Sequence, residues 1–212
     1  FLWTLIEQVR RDRGVKHPIK IAVDEWNTWF AERAGEHLAD KYNLTDALSV
    51  AIYLNMLRRN CHAIEIATLA QMVNVIAPIF TSPEGMFLQT IYHPLRLAVE
   101  KSGPIALDAH VESAMYPADY LGLSAVPYLD VLATLDESES KLFISLVNLS
   151  RDEPQAVDIH MHDADLSSEG LAHVVTGEGP EAANDFGVER VGVRTQRLSD
   201  ISAEFTYALP PL

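Results

Sequence analysis

The chain has 212 residues, of which 48% are apolar, 22% charged and 8% aromatic, with 10 Gly and 11 Pro. This composition supports a soluble globular fold with one sizeable core or two small ones, and it excludes disordered, collagenous and low-complexity scaffolds. The net charge of -14 repels phosphate backbones and anionic lipid, so neither nucleic acid nor a membrane is expected as a partner.

The chain opens on Phe1-Leu2-Trp3-Thr4-Leu5-Ile6, and Leu2, Leu5, Ile6 and Val9 recur at the spacing of an amphipathic helix. Arg10, Arg11 and Arg13 follow these positions, where a helix C-terminus favours cations, whereas a signal peptide carries its basic residues first. With no initiator Met, this helical start leads to the expectation of a truncated or cleaved chain that begins inside a fold. After Gly14, Ile19-Lys20-Ile21-Ala22-Val23 reads as a short buried strand ending in Asp24 and Glu25. Residues 26–43 read as a loop. Asn43 or Thr45 then caps a helix whose face carries Leu44, Ala47, Leu48, Ala51, Leu54 and Leu57, closed by Arg58 and Arg59.

Ile64 to Ala70 reads as a second strand, completing a strand-helix-strand unit of the kind that builds parallel sheets. It too ends in polar side chains, Gln71 and Asn74. The uncharged run from Ile66 to Pro83 contains Gln71, Asn74 and Pro78, which favour a buried core over a bilayer span. A further helix is expected over about Phe87 to Glu100, interrupted at Pro94. The single Cys61 excludes an internal disulfide, fits a reducing, cytoplasmic compartment, and reads as a buried thiol.

From Ile105 the apolar period changes to two, over Ile105–Val111, Tyr128–Leu135, Leu142–Val147, Ala156–Met161, Leu171–Thr176, Val188–Val193 and Ala203–Leu209. Turn-rich segments separate these runs, the pattern of an antiparallel sandwich. Charge divides at the same place: residues 1–104 hold 11 bases and 11 acids, and residues 105–212 hold 5 bases and 19 acids. A domain boundary is therefore expected near Ser102-Gly103-Pro104. The fold class expected is α/β followed by all-β.

A carboxylate at the C-terminal end of a parallel strand occupies the place where barrel enzymes keep catalytic groups. Asp24-Glu25-Trp26-Asn27-Thr28-Trp29 adds indole faces that stack on sugar rings and an amide that bonds hydroxyls. On these residues alone an equal alternative stands, in which Glu25 pairs with an Arg and the Trp rings belong to the core.

Ile21-Ala22-Val23-Asp24-Glu25-Trp26-Asn27-Thr28-Trp29-Phe30, then Asp46-Ala47-Leu48 and Leu69-Ala70-Gln71-Met72-Val73-Asn74-Val75-Ile76-Ala77-Pro78-Ile79, closely resembles glycoside hydrolase family 51. The resemblance continues in order through Gln89-Thr90-Ile91-Tyr92-His93-Pro94, Val147-Asn148 and Asn184-Asp185-Phe186, over nearly the whole chain. It implies the C-terminal part of a (β/α)8 barrel over residues 1–104, followed by an antiparallel, jelly-roll-like β-sandwich over residues 105–212. It implies an α-L-arabinofuranosidase activity on arabinose-containing oligosaccharides and polysaccharides. By this resemblance Glu25 is the nucleophile of a retaining double displacement, Gln71 contacts the arabinose and Trp29 lines the cleft. Asp24 and Asn27 support the strand end and its loop. No metal or cofactor is called for, and a homo-oligomer, commonly a hexamer in this family, is implied.

The resemblance has one large departure. The family's acid/base Glu follows a Gly-Asn pair on an earlier barrel strand, and this sequence has no such segment. A complete barrel takes about 250 residues, so an upstream half of the same enzyme is expected as a partner. The loop over Ala31–Tyr42 is where linkage preference is expected to reside. A competing reading is a non-catalytic sandwich that binds polysaccharide or mediates assembly.

The remaining features have plainer readings. His160-Met161-His162-Asp163 reads as a solvated strand face before it reads as a metal site, and His93 as a packing residue. Asn43-Leu44-Thr45 and Asn148-Leu149-Ser150 are chance matches to the glycosylation pattern.

Overall fold

The computed structural model describes residues 1–30, 40–119, 122–162 and 165–211. Helix α1 (Leu2–Asp12) ends where the Arg10 guanidinium bonds Glu7 at 2.8 Å and the Val15 carbonyl at 3.1 Å. Its apolar stripe stays open, with Leu2, Leu5 and Val9 exposed. Strand β1 (Ile21–Trp26) and strand β2 (Ile64–Leu69) pair in parallel, joined through helix α2 (Leu44–Arg59) as a parallel crossover requires. Asn43, and not Thr45, caps α2. The Asn43 side chain accepts from Asp46 N at 3.1 Å, and the Asp46 carboxylate accepts from Asn43 N at 2.9 Å, a reciprocal capping box.

Between β2 and the next helix the sequence reading needs correction. Strands β3 (Ile79–Ser82) and β4 (Gly85–Leu88) form a hairpin in a stretch read partly as core and partly as helix. Helix α3 (Tyr92–Glu100) begins after it, so Phe87 and Leu88 are strand residues. Pro94 lies in the first turn of α3, where its missing N–H had no intrahelical partner to lose, and it interrupts nothing.

From β5 (Ile105–Leu107) onward every strand pairing among the described residues is antiparallel. Strand β8 (Leu129–Asp136) pairs with β5 on one side and β9 (Lys141–Asn148) on the other. Short β6 (Met115–Pro117) pairs with β7 (Ala125–Pro127), β10 (Gln155–His160) with β13 (Glu204–Leu209), and β11 (Gly170–Gly177) with β12 (Val191–Leu198). This hairpin-rich arrangement is consistent with the expected sandwich. The run read over Val188–Val193 lies further on, in β12, because Asp185 and Val188 close a tight bridge just before it. The sequence reading missed β6 and gave β7 no strand of its own. Each is only three residues long, too short to display a period.

Buried Tyr42, Val50 and Ile91 form a core cluster, with Trp26, Leu54, Ile76 and Leu95 packed around it. Full burial of Val50 and Ile91 contributes about 1.5–3 kcal/mol each. Helix α2 also reaches β8, where Asn55 and Arg59 bond the two oxygens of Asp130 at 2.7 and 2.6 Å. The expected boundary glycine, Gly103, is held there by space: a Cβ would stand 2.2 Å from the Leu135 carbonyl carbon and oxygen. Cys61 is exposed, against the expectation of a buried thiol, because it falls in the turn after the Asn60 C-cap. Among the described residues, no helix is long and apolar enough to cross a membrane.

Candidate active site

The register of β1 against β2 slips where the sequence places its chemistry. Val23 pairs with Ala67 and Trp26 with Leu69, so β1 spends one residue more than β2 over Asp24-Glu25. Such a bulge breaks strict alternation and re-aims side chains, and both acids are exposed. The Thr68 hydroxyl donates to the Asp24 carbonyl and holds the bulge to its neighbour. Among the described residues neither the Asp24 nor the Glu25 side chain forms an ion pair, so the Arg partner of the alternative reading is not found there.

Asn27 ties the two strand ends together. Its amide donates to the carbonyls of Ala70 and, at 2.7 Å, Ile76, while its oxygen accepts from Thr28 N at 2.8 Å. Ala70 N in turn donates to the Trp26 carbonyl at 3.1 Å. Gln71, joined to Ala70 by a cis peptide bond, therefore emerges at the same end of the sheet as Glu25, with its side chain exposed. The chain then turns back through Asn74 and Val75, both left-handed with φ of 60 and 61, a rare conformation for a β-branched residue.

The two indoles of the motif separate. Trp26 packs against the core and stacks on Tyr53 at 5.7 Å, whereas Trp29 is 45% exposed beyond the strand end. Trp26 Nε1 and Thr28 Oγ1 are buried with no hydrogen-bond partner among the described residues. The structure thus brings Glu25, Asp24, Asn27, Trp29 and Gln71 to one end of the parallel pair. Of the 31–42 loop assigned to linkage preference, residues 31–39 lie outside the described residues.

Four other polar residues carried by the resemblance, Gln89, His93, Asn148 and Asn184, are buried fastenings. Gln89 accepts from Tyr42 N at 2.9 Å and donates to the carbonyls of Asp40 and Ala77, each at 3.1 Å. Asn184 donates to the carbonyls of Leu88 and Val191 at 3.0 and 2.9 Å and accepts from the N–H groups of Arg190 and Val191. His93 contacts the Val191 carbonyl at 3.1 Å, and burial pushes its pKa below the ordinary value. Asn148 donates to the carbonyls of Glu153 and Pro210, so its amide is occupied within the fold. The sequence placed Tyr42 only as the end of the loop expected to carry linkage preference; an aromatic next to a helix cap carries no signal that its hydroxyl reaches back to the Thr28 carbonyl, 2.7 Å away.

Hollows among the described residues are lined by residues other than those at the strand ends. A cleft of about 270 Å³ between the β3–β4 hairpin and the Asp185-Phe186 turn is lined by Phe80, Phe87, Phe186, Lys41 and Asp185. The Lys41 ammonium bonded to Asp185 holds that carboxyl below the usual carboxylate range. A second hollow is apolar, lined by Leu5, Ile6, Val9 and Ile19. Among the described residues no three His, Cys, Asp or Glu side chains gather as a metal site. His160 instead faces Glu204 across the β10–β13 pair at 3.6 Å, and Asp163 of the same motif lies outside the described residues.

Comparison with known proteins agrees along the length of the chain. Residues 24–212 match the model of the α-L-arabinofuranosidase C-terminal domain family. A probable α-L-arabinofuranosidase C of Aspergillus niger is 34% identical over 96% of this chain and 41% of its own length. A Halalkalibacterium halodurans protein named intracellular exo-α-(1→5)-L-arabinofuranosidase is 32% identical over 88% of this chain and 39% of its own length. The solved family 51 α-L-arabinofuranosidase of Thermotoga petrophila superposes with a TM-score of 0.86 at 28% identity, over 99% of this chain and 44% of that one. The chain thus spans about two fifths of the length of the curated relatives it matches. On its matched domain, its sequence relatives and its superposed fold, the chain belongs to the α-L-arabinofuranosidase C-terminal domain family and corresponds to a C-terminal portion of glycoside hydrolase family 51.

Proposed function

We propose that this chain supplies the nucleophilic half of a retaining α-L-arabinofuranosidase, which removes terminal non-reducing arabinofuranosyl residues from arabinan, arabinoxylan or arabino-oligosaccharides. The observation that carries the reading is the bulged end of β1, which presents Glu25 exposed, without an ion-pair partner among the described residues, at the same end of the sheet as Gln71. Residues 1–104 then form the last part of the barrel and residues 105–212 the sandwich, the latter buttressing α2 through Asp130.

In the mechanism so assigned, the ionised Glu25 carboxylate attacks the anomeric carbon and displaces the glycosidic oxygen, forming a covalent arabinosyl ester. A second carboxyl group about 5 Å away protonates the leaving oxygen and then deprotonates the water that cleaves the ester. That group comes from an upstream segment, as the greater length of the relatives supports. The Gln71 amide has the donors and acceptor to bond arabinose hydroxyls. Trp29 offers an exposed apolar face to the ring, and Asn27 fixes the register of the two strand ends. The reaction uses no cofactor on this reading. The name of the bacterial relative supports an intracellular location and α-1,5-linked substrates, and the family's habit supports a homo-oligomer such as a hexamer.

The test is Glu25→Ala in the polypeptide that joins this chain to its upstream segment. Turnover of an aryl α-L-arabinofuranoside is expected to be abolished with the circular dichroism spectrum unchanged. Retained turnover overturns the assignment.

A further inference from the structure

The segment carrying Trp29 is fastened from an unexpected direction. The Tyr42 hydroxyl donates to the Thr28 carbonyl at 2.7 Å, from a side chain that is 0% exposed. Tyr42 is itself held by its backbone N–H, which donates to Gln89 Oε1 at 2.9 Å. Gln89 is 1% exposed, and its amide uses both hydrogens, on the carbonyls of Asp40 and Ala77. Its own backbone N–H donates to the Pro78 carbonyl at 2.8 Å, so the series begins at the base of the β3–β4 hairpin. A continuous line of hydrogen bonds therefore runs from that hairpin through Gln89 and Tyr42 to the peptide that precedes Trp29.

Burial makes this line stiff. Buried polar groups hold their partners because a lost partner leaves a desolvated donor or acceptor behind. Thr28 Oγ1, buried and without a partner among the described residues, gives its segment no competing anchor there. Asn27 fixes the strand side of the same segment, and the Tyr42 hydroxyl fixes the far side.

We infer that Tyr42 and Gln89 are positioning residues that set the orientation of the Thr28-Trp29 peptide and, through it, the affinity for the arabinofuranosyl ring. Neither side chain touches the reacting atoms on this account; Gln89 acts on Tyr42 and Tyr42 acts on Thr28. The inference rests on the proposed reading of Trp29 as a wall of the sugar cleft. Its consequence is a separation of binding from chemistry: losing the relay loosens Trp29, while Glu25, earlier on β1 and on the far side of the Asn27 anchor, keeps its bulge and the Thr68 clamp on the Asp24 carbonyl.

The experiment compares Tyr42→Phe, Trp29→Ala and Gly103→Ala with the unaltered enzyme, each in the polypeptide that includes the upstream segment, using an aryl α-L-arabinofuranoside. Tyr42→Phe removes one hydrogen bond and keeps the ring, so KM is expected to rise about fivefold, with kcat within about twofold. Gly103→Ala strains a remote backbone contact and is expected to lower stability without moving KM, which separates positioning from loss of stability. In protein labelled with 5-fluorotryptophan, the Trp29 resonance is expected to shift in Tyr42→Phe while that of Trp3 stays in place. An unchanged KM in Tyr42→Phe overturns the inference. If Trp29→Ala raises KM in that case, only the relay has failed; if Trp29→Ala also leaves KM unchanged, the reading of Trp29 as a cleft wall has failed with it.

Discussion

Asn184 offers the clearest quantitative test of how the fold is held. Its carboxamide makes four hydrogen bonds, to the Leu88 and Val191 carbonyls and from the Arg190 and Val191 N–H groups, with the residue 3% exposed. It thereby joins strand β4 to the start of β12, elements far apart in sequence. Asn184→Ala removes all four at once. At about 1 kcal/mol net per bond, the upper figure is about 4 kcal/mol. Two circumstances reduce it: the Val191 carbonyl keeps His93 Nε2 at 3.1 Å, and Arg190 lies at the surface, where water can replace a lost partner. A loss of about 2–4 kcal/mol is expected. Urea unfolding followed by circular dichroism measures it, with an unchanged slope licensing the comparison. A loss below about 1 kcal/mol would refute the reasoning, because it would mean that these bonds exchange for water at no net cost.

Three further outcomes follow from the same structure. Gly103→Ala is expected to destabilise by about 1–3 kcal/mol, since its Cβ meets the Leu135 backbone at 2.2 Å and backbone cannot swing aside as a side chain can; thermal unfolding checks it. Asn43→Ala deletes the side-chain acceptor for Asp46 N and half of the capping box, and is expected to cost about 0.5–2 kcal/mol in the same assay. His93 links stability to pH. Burial is the main cause of its lowered pKa, aided by Arg96 and opposed by the Val191 carbonyl and Glu189, so the unfolded chain takes up a proton at higher pH than the folded one does. The stability contributed by the neutral imidazole is therefore complete above about pH 6.5 and is lost as pH falls through the folded value, at no more than about 1.4 kcal/mol per pH unit. His93→Gln is expected to flatten that part of the stability–pH curve, and an unaltered slope would contradict the assignment.

The parts of the fold legible in the sequence were those with a local cause. The β1–α2–β2 unit has apolar runs long enough to display a period, a capping asparagine and terminal arginines. The antiparallel region has alternation, and its strands are misread where they are short, as in β6 and β7, displaced by a turn, as in β12, or cut off early, as in β5, which ends at Leu107 although alternation runs on to Val111. The β3–β4 hairpin was lost because Phe87 and Leu88 run without a turn signal into the apolar face of α3. Cys61 was misplaced because a thiol's exposure depends on where the α2 C-cap falls, within a residue or two. At the candidate site, Glu25 and Gln71 were legible as strand-end polar residues. The bulge that presents Glu25, the amide of Asn27 spanning to Ala70 and Ile76, and the reach of Tyr42 to Thr28 depend on partners up to 49 residues apart in sequence, which no periodicity encodes.

On the proposed mechanism Glu25 forms a covalent bond to arabinose. The most direct test uses the polypeptide joined to its upstream segment and an activated 2-deoxy-2-fluoro-α-L-arabinofuranoside, whose fluorine slows hydrolysis of the ester enough for capture. Tryptic digestion and fragmentation mass spectrometry then locate the label. One adduct per chain is expected on the Ile21–Arg33 peptide, with the fragment series placing the added mass on Glu25 and leaving Asp24 unmodified. A label on any other carboxylate, or turnover with inversion at the anomeric carbon and no adduct, would contradict this mechanism.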